Sequence, residues 1–291
     1  MPELPEVQTI VNGLNKKIKG KKFLDISYCD AKKLVKEPSF EKFKKELKGK
    51  TVEKVERRAK NILIYLSDER ILAIHLKMTG HLIVQNEKRK VQNGKWVGDN
   101  LPKELADPRN QFIRIVFQLS DDLIMAYSDL RKFGELRLVK HDYLRLLESK
   151  LGPEPLEPKF DLNAFKTILD ASKGKIKMML LDQSKISGIG NIYADEILFD
   201  ASVRPDREIK SLSKKDIENI FKSIKKILNE GIKNRGTSDS DFRDAEGKPG
   251  GYQDFLHVYR RTGKGCLCCK SDIKRIKLGG RGTHFCPKCQ K

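Results

Sequence analysis

Near its middle the chain reads Leu151-Gly152-Pro153-Glu154-Pro155-Leu156-Glu157-Pro158, and three prolines with a glycine stop regular structure there. In a chain of 291 residues such a break predicts two domains, each burying its own core. The two sides differ in period. Before the break, short and often alternating apolar runs recur at 23–28, 52–55, 62–66, 71–76, 81–84, 112–117, 123–127 and 135–139. They predict an N-terminal β-sandwich domain over 1–150, with 151–161 as linker. After the break, apolar residues return at helical spacing over 162–171, 173–185, 191–200 and 213–233, which predicts a helical domain over 162–261. A cysteine-rich tail fills 262–291. The expected fold class is α+β and multidomain: a sandwich flanked by helices, then a helical bundle, then a metal-held hairpin. The polar stretch 85–110 carries Lys88, Arg89, Lys90, Asn93, Gly94, Asp99 and Pro102 and is expected to be a long surface loop, mobile until a nucleic acid orders it.

In the tail, Cys266-x2-Cys269 is followed by Cys286-x2-Cys289, a spacing that suits one tetrahedral zinc. Two short knuckles cannot bury enough apolar surface alone, so the metal is expected to supply their folding energy. Four thiolates leave no open coordination position, which makes the zinc structural. Disulfides or free thiols are the alternative, and an intracellular setting argues against the former. Cys268 and His284 are close in sequence but fall outside the register, and Cys29 reads as a small core residue. The hairpin between the knuckles, 274–281, is basic.

A net charge of +20 spread among apolar residues implies a polyanionic partner, with nucleic acid ahead of an anionic membrane. No apolar run approaches the roughly 20 residues that span a bilayer, and the acidic start lacks the features of a signal peptide. A cytoplasmic, membrane-free monomer is expected.

Two short constellations carry chemistry. The chain starts Met1-Pro2-Glu3-Leu4-Pro5-Glu6, and loss of Met1 would turn Pro2 into a secondary-amine nucleophile with Glu3 and Glu6 at hand to manage protons. The competing reading is structural: prolines and an acid at the start of the amphipathic helix marked by Val7, Ile10, Val11 and Leu14. Farther on, Gly188-Ile189-Gly190-Asn191 joins two helical runs. Its glycines would let backbone approach a phosphate, Asn191 would cap the next helix or donate to the phosphate, and Lys173, Lys175 and Lys177 stand nearby. An ordinary turn remains the alternative.

Taken together, these residues resemble the formamidopyrimidine-DNA glycosylases. The amino terminus through Val7, the hairpin Arg57-Arg58-Ala59-Lys60 and the loops His75-Leu76-Lys77-Met78-Thr79-Gly80 and Asp129-Leu130-Arg131-Lys132-Phe133-Gly134 are similar to family motifs. So are 180–196 and Gly280-Arg281-Gly282-Thr283 through Gln290, which resemble the helix–two-turn–helix element and the end of the zinc finger. The motifs run in family order from first residue to last. The resemblance implies a bifunctional glycosylase and abasic-site lyase of base excision repair, acting on double-stranded DNA with oxidised purines. It implies that Pro2 attacks C1′ to form an iminium, with Glu3 as acid/base beside the sugar and Glu6 as a second acid. Lys60 is implied as a phosphate contact and proton donor in β-elimination, and Arg281 as the phosphate-binding residue of the δ step. Met78, Arg131 and Phe133 match the side chains that fill the hole left by a flipped base. Lys177 and Asn191 are implied DNA contacts.

Several positions depart from the family pattern. Arg109-Asn110-Gln111-Phe112 stands where relatives place a DNA-contacting histidine, Asn234-Arg235-Gly236 replaces paired glycines, Arg260 replaces a glycine, and 85–110 is longer than usual. Residues 237–250 correspond to the loop that closes over the extruded base. Leu4 favours the purine-directed branch over an endonuclease VIII-like enzyme for oxidised pyrimidines. A non-catalytic zinc-finger DNA-binding module is the other rival, but it leaves Pro2, Glu3 and Lys60 without purpose.

Overall fold

The computed structural model describes residues 2–238 and 241–291, and Met1, whose removal the chemistry above requires, lies outside them, as do residues 239 and 240. By internal contact the chain divides into two compact units. The first comprises Met1–Leu147 and Asn234–Gln253, the second Glu148–Lys233 and Asp254–Lys291. The expected single helical domain over 162–261 is therefore interrupted: its 234–253 stretch returns to the first unit.

The first unit opens with helix α1 (Leu4–Ile18), whose Leu4, Val7, Ile10, Val11, Leu14 and Ile18 form one buried stripe at helical spacing. Strand β1 (Phe23–Cys29), the short β2 (Val35–Glu37), helix α2 (Phe40–Leu47), then β3 (Val52–Arg58), β4 (Asn61–Leu66), β5 (Ile71–His75) and β6 (Gly80–Asn86) follow. Next come β7 (Lys90–Gln92), β8 (Lys95–Val97), the one-turn α3 (Lys103–Ala106), β9 (Ile113–Leu119), β10 (Leu123–Asp129), β11 (Glu135–Val139) and α4 (His141–Glu148). Strands order as β1-β9-β10-β6 in one sheet and β2-β11-β5-β4-β3 in the other. Side chains on alternate positions meet in one core: Ile62, Ile64, Leu72 and Ile74 from the second sheet join Leu82, Val84, Ile115, Phe117 and Met125 from the first, with the α1 stripe. The predicted sandwich is what forms.

The stretch 85–110 is not a bare loop. Asn93 and Gly94, both with positive φ, turn β7 into β8, and the segment buries Trp96 and Leu105 against Ile83, Ile113, Val116, Ile124 and Ala126 on the outer face of the first sheet. The Asn-Gly pair between short strands is the hairpin signal that a polar composition concealed. Helices α2 and α4 were likewise not expected, since each is only 8 residues long.

The second unit contains α5 (Leu162–Asp170), the short α6 (Ile176–Leu181), α7 (Asn191–Asp200) and α8 (Lys214–Lys233). Helix α7 is buried from Ile192 to Phe199, the carboxylates of Asp195 and Glu196 included. The tail pairs β12 (Lys274–Leu278) with β13 (Arg281–Phe285). The proline-rich stretch is no free linker. Gly152 donates its N–H to Gln183 O at 2.8 Å, and a Cβ there would lie 2.5 Å from the Lys185 backbone, so only glycine fits.

Candidate active site and nucleic-acid surface

In the first unit, Pro2, Glu3 and Glu6 are all buried at the start of α1. Glu6 is committed on both oxygens: Oε2 accepts from the Glu3 N–H at 2.8 Å, and Oε1 from the Thr237 N–H at 2.7 Å. It therefore fixes the entry to the helix and the loop after α8. Its neighbour Gly236 could carry no side chain, for a Cβ would lie 2.8 Å from Glu6.

Helix α1 runs along β3 through two side-chain contacts. Asn15 Oδ1 accepts from the Val55 N–H at 2.9 Å, and Arg57 Nε donates to Gln8 at the same distance. Moving toward the helix start thus moves toward the β3–β4 turn, which carries Lys60. Lys60 is 8% exposed. Beside it, His75 pairs with Asn61 across the strands, and its imidazole is pushed down to about 4 by burial, with the charges of Lys77 and Lys60 adding.

Met78, Arg131 and Phe133 arrive from two loops and form one cluster. Arg131 Nη1 donates to Met78 Sδ at 2.8 Å, and its guanidinium lies 4.5 Å from the Phe133 ring centre. Met78 and Phe133 stay 42% and 52% exposed, an unusual state for two large apolar side chains held side by side. The loops are tied by Asp129, a residue not singled out from sequence although it opens one of the quoted motifs. Its fully buried carboxylate accepts from Thr79 Oγ1, from the Arg131 and Gly134 N–H groups at 3.2 and 2.9 Å, and from Tyr127 Oη at 3.3 Å. Tyr127, its hydroxyl held well above the usual phenol range by burial and by Asp129, would lie only 1.7 Å from a Cβ at Gly134.

Strained backbone marks the same residues. Ala59, Lys77 and Lys132 have φ of 52°, 53° and 54°, and each directly precedes Lys60, Met78 or Phe133. Left-handed non-glycine residues cost on the order of 1 kcal/mol each and gather where a side chain must be aimed.

In the second unit the expected DNA contacts separate. Arg281 is exposed at the start of β13. Asn191 does not cap α7, since Gly190 is the N-cap; its Nδ2 donates to Gly282 O at 3.0 Å. Lys177 must be withdrawn as a DNA contact: it is fully buried, with Nζ 2.6 Å from Asp195 and 2.7 Å from Thr283 Oγ1. Burying an ammonium requires a paired carboxylate, and Asp195, also fully buried, supplies it. Asp195 accepts in addition from the His284 N–H at 2.9 Å, with His284 Nδ1 at 3.0 Å. Lys177 and Asn191 thus hold the finger hairpin beside Arg281. Gln183 staples the glycine turn, donating to Leu181 and Ile189 carbonyls and accepting from the Gly188 N–H at 2.9 Å.

Cys266, Cys269, Cys286 and Cys289 bring their sulfurs within 4.8 Å of one another. The 266–289 and 269–286 pairs are 3.9 and 3.4 Å apart, close to the edge of about 3.8 Å that a tetrahedron of ~2.3 Å Zn–S bonds demands. His284 faces Asp195 and Cys268 is exposed, so neither competes. The four thiolates fit one structural zinc.

Among the described residues no helix is long and apolar enough to cross a membrane. Residues 1–136 match the model of the formamidopyrimidine-DNA glycosylase N-terminal domain, 151–242 its H2TH domain, and 263–291 the zinc finger found in formamidopyrimidine-DNA glycosylase and isoleucyl-tRNA synthetase. The formamidopyrimidine-DNA glycosylase of Carboxydothermus hydrogenoformans is 40% identical over the whole of both chains, and that of Pelotomaculum thermopropionicum 39% identical over all of this chain and 99% of the relative. Among solved structures, the Lactococcus lactis enzyme in complex with abasic-site DNA superposes with a TM-score of 0.84 at 35% identity, covering 99% of each chain. Its complex with Fapy-dG-containing DNA gives 0.83 at 35% identity, covering 99% of this chain and all of the other. With three consecutive domain matches and full-length relatives at this identity, the chain belongs to the formamidopyrimidine-DNA glycosylase family.

Proposed function

We propose that this chain is a bifunctional DNA glycosylase and abasic-site lyase that excises oxidised purines, 8-oxoguanine and formamidopyrimidines, from double-stranded DNA. The observation that carries the reading is the exposed Met78–Arg131–Phe133 cluster, anchored on buried Asp129. Such a cluster is costly in water and useful to a protein that must fill a vacated base position. Only chemistry on the nucleotide itself requires that extrusion, at a few kcal/mol. The wedge favours an enzyme over a passive binding module.

With Met1 removed, the Pro2 nitrogen attacks C1′ and the bond to the base breaks, the amine's own proton passing to the departing base; a proton from Glu3 to the ring oxygen then opens the sugar and leaves an iminium. A secondary amine suits this step because its iminium has no N–H proton to lose. The cation acidifies C2′, whose proton departs as the 3′ phosphate leaves, and loss of the 5′ phosphate follows. Lys60 acts on phosphate and as proton donor in the first elimination. Arg281 binds phosphate for the second. Glu6 holds α1 and the following loop at the reacting end, and the zinc keeps the finger folded.

The test mixes mature protein with an 8-oxoguanine:cytosine duplex under borohydride, which reduces an iminium to a stable adduct, and maps the attachment. An adduct on Pro2 is expected. Tight binding with no adduct, on this duplex or a thymine-glycol one, would refute the assignment.

A further inference from the structure

The loop after α8 is fastened at two places in the first unit. At its start the Thr237 N–H reaches Glu6. Beyond it, residues 242–247 are fixed by contacts that the 101–110 segment provides. Arg243 is 5% exposed, and its Nε and Nη2 both donate to Asp107 Oδ2, at 2.8 and 2.6 Å. Its third nitrogen, Nη1, returns to Phe242 O at 2.7 Å. Asn110 is fully buried; Nδ2 donates to Gly247 O at 2.9 Å and to Glu104 O at 2.6 Å, and Oδ1 faces His81 Nε2 at 2.9 Å. His81 stays neutral, its imidazole pushed down to about 4 by burial, so Nε2–H is the donor. The sheet helps: Val84 N–H donates to Ala245 O at 2.9 Å.

These contacts give Asn110 a place in the unit. Asn110 does not stand ready for DNA; it is a bridge between His81, α3 and the loop. Asp107 sits at the N-cap of the short 3-10 turn Pro108–Asn110, where it also accepts from the Arg109 N–H at 2.9 Å, so its second oxygen is aimed before Arg243 arrives. The buried cores around Trp96 and Leu105 brace that turn against the sheet. With a buried guanidinium converging two donors on one oxygen of a partly buried carboxylate, the pair fixes geometry better than a surface ion pair.

We propose that the 101–110 segment is a clamp for the loop after α8, with Asp107 and Asn110 as positioning residues that set how the loop grips an extruded base and so which oxidised base leaves fastest. The proposal rests on the glycosylase reading above. Chemistry at C1′ needs no grip on a base that is already gone. The clamp therefore acts on excision and not on cleavage of an abasic site.

Full-length Asp107→Asn and Arg243→Met are compared with the parent and with the charge swap Asp107→Arg/Arg243→Asp. Each is assayed in single turnover on 8-oxoguanine, formamidopyrimidine and abasic duplexes. Both single variants are expected to slow 8-oxoguanine excision about tenfold or more, as a misplaced positioning group does, and to change its ratio to formamidopyrimidine excision. Abasic cleavage should stay at the parental rate, which also reports an intact fold, and the swap should restore excision. Unchanged excision in both single variants overturns the clamp. So does a parallel fall of all three activities, which would mean that the segment merely supports the domain. A parent unable to cleave the abasic duplex sinks the glycosylase reading instead.

Discussion

Each unit organises the element proposed above to meet DNA from a fully buried aspartate, but Asp129 and Asp195 do so by different means. Asp129 collects hydroxyl and backbone donors from Thr79, Arg131, Gly134 and Tyr127. Asp195 is paired with a buried ammonium and a histidine, Lys177 and His284. The first arrangement shapes two loops through hydroxyl and backbone hydrogen bonds, each worth about 1 kcal/mol net. The second joins elements distant in sequence through charge, where loss of one partner leaves the other stranded.

Lys177→Met should be the most damaging change, costing about 3–5 kcal/mol, because it strands the Asp195 carboxylate. Denaturant melts of the zinc-loaded protein measure it. Lys177→Met combined with Asp195→Asn should cost less than Lys177→Met alone; an equal or larger cost would show that the ion pair is not what matters.

Acid should separate the units next. His75 and His81 in the first unit have imidazoles pushed down to about 4 by burial. Above an unfolded value near 6.5 they add no pH dependence, but as pH falls from there toward 4 the unfolded chain takes up protons that the folded chain refuses, and stability drops by a few kcal/mol. His257 in the second unit is raised instead by its bond to Glu196, so its contribution is present below 6.5 and fades as pH rises through its folded value. Hydrogen exchange resolved by segment, between pH 7 and 5, should show the first unit loosening sooner; the opposite order would break the contrast.

Asp129→Asn should cost roughly 1–3 kcal/mol, since one oxygen becomes a donor facing donors. It should also slow 8-oxoguanine excision about tenfold by shifting Arg131 and Phe133. A stability loss with full excision activity would separate Asp129 from the wedge. The smallest effect expected is a gain. Arg260 occupies φ 56°, a left-handed backbone that favours glycine, and Arg260→Gly should stabilise by about 1 kcal/mol in the same melts.

Much of this was legible in the sequence because the signals are local. Period two gave the sandwich strands, and the apolar stripe from Leu4 to Ile18 gave α1. Spaced cysteines gave the metal site, and the quoted motifs named Met78, Arg131 and Phe133, which the fold gathers into one cluster. What stayed hidden depends on long-range pairing. Lysines look alike in a sequence, and only Asp195, brought to Lys177 by the fold, shows that one of them is a buried strut. Asp107 and Arg243 lie 136 positions apart, and neither residue alone hints at the other. The 85–110 stretch looked like loop because two buried side chains, Trp96 and Leu105, are diluted among charges.

The return of Asn234–Gln253 to the first unit means that the chain passes between units at three points, after Leu147, Lys233 and Gln253. A protease cutting once at the first crossing would release no domain. The carboxy-terminal fragment would still contribute Phe242 and Ala245 to the sandwich core, and the two pieces would stay associated. Split there, the gene could be expressed as halves that reassemble, with the core contacts of the 234–253 segment as the hinge pin of complementation.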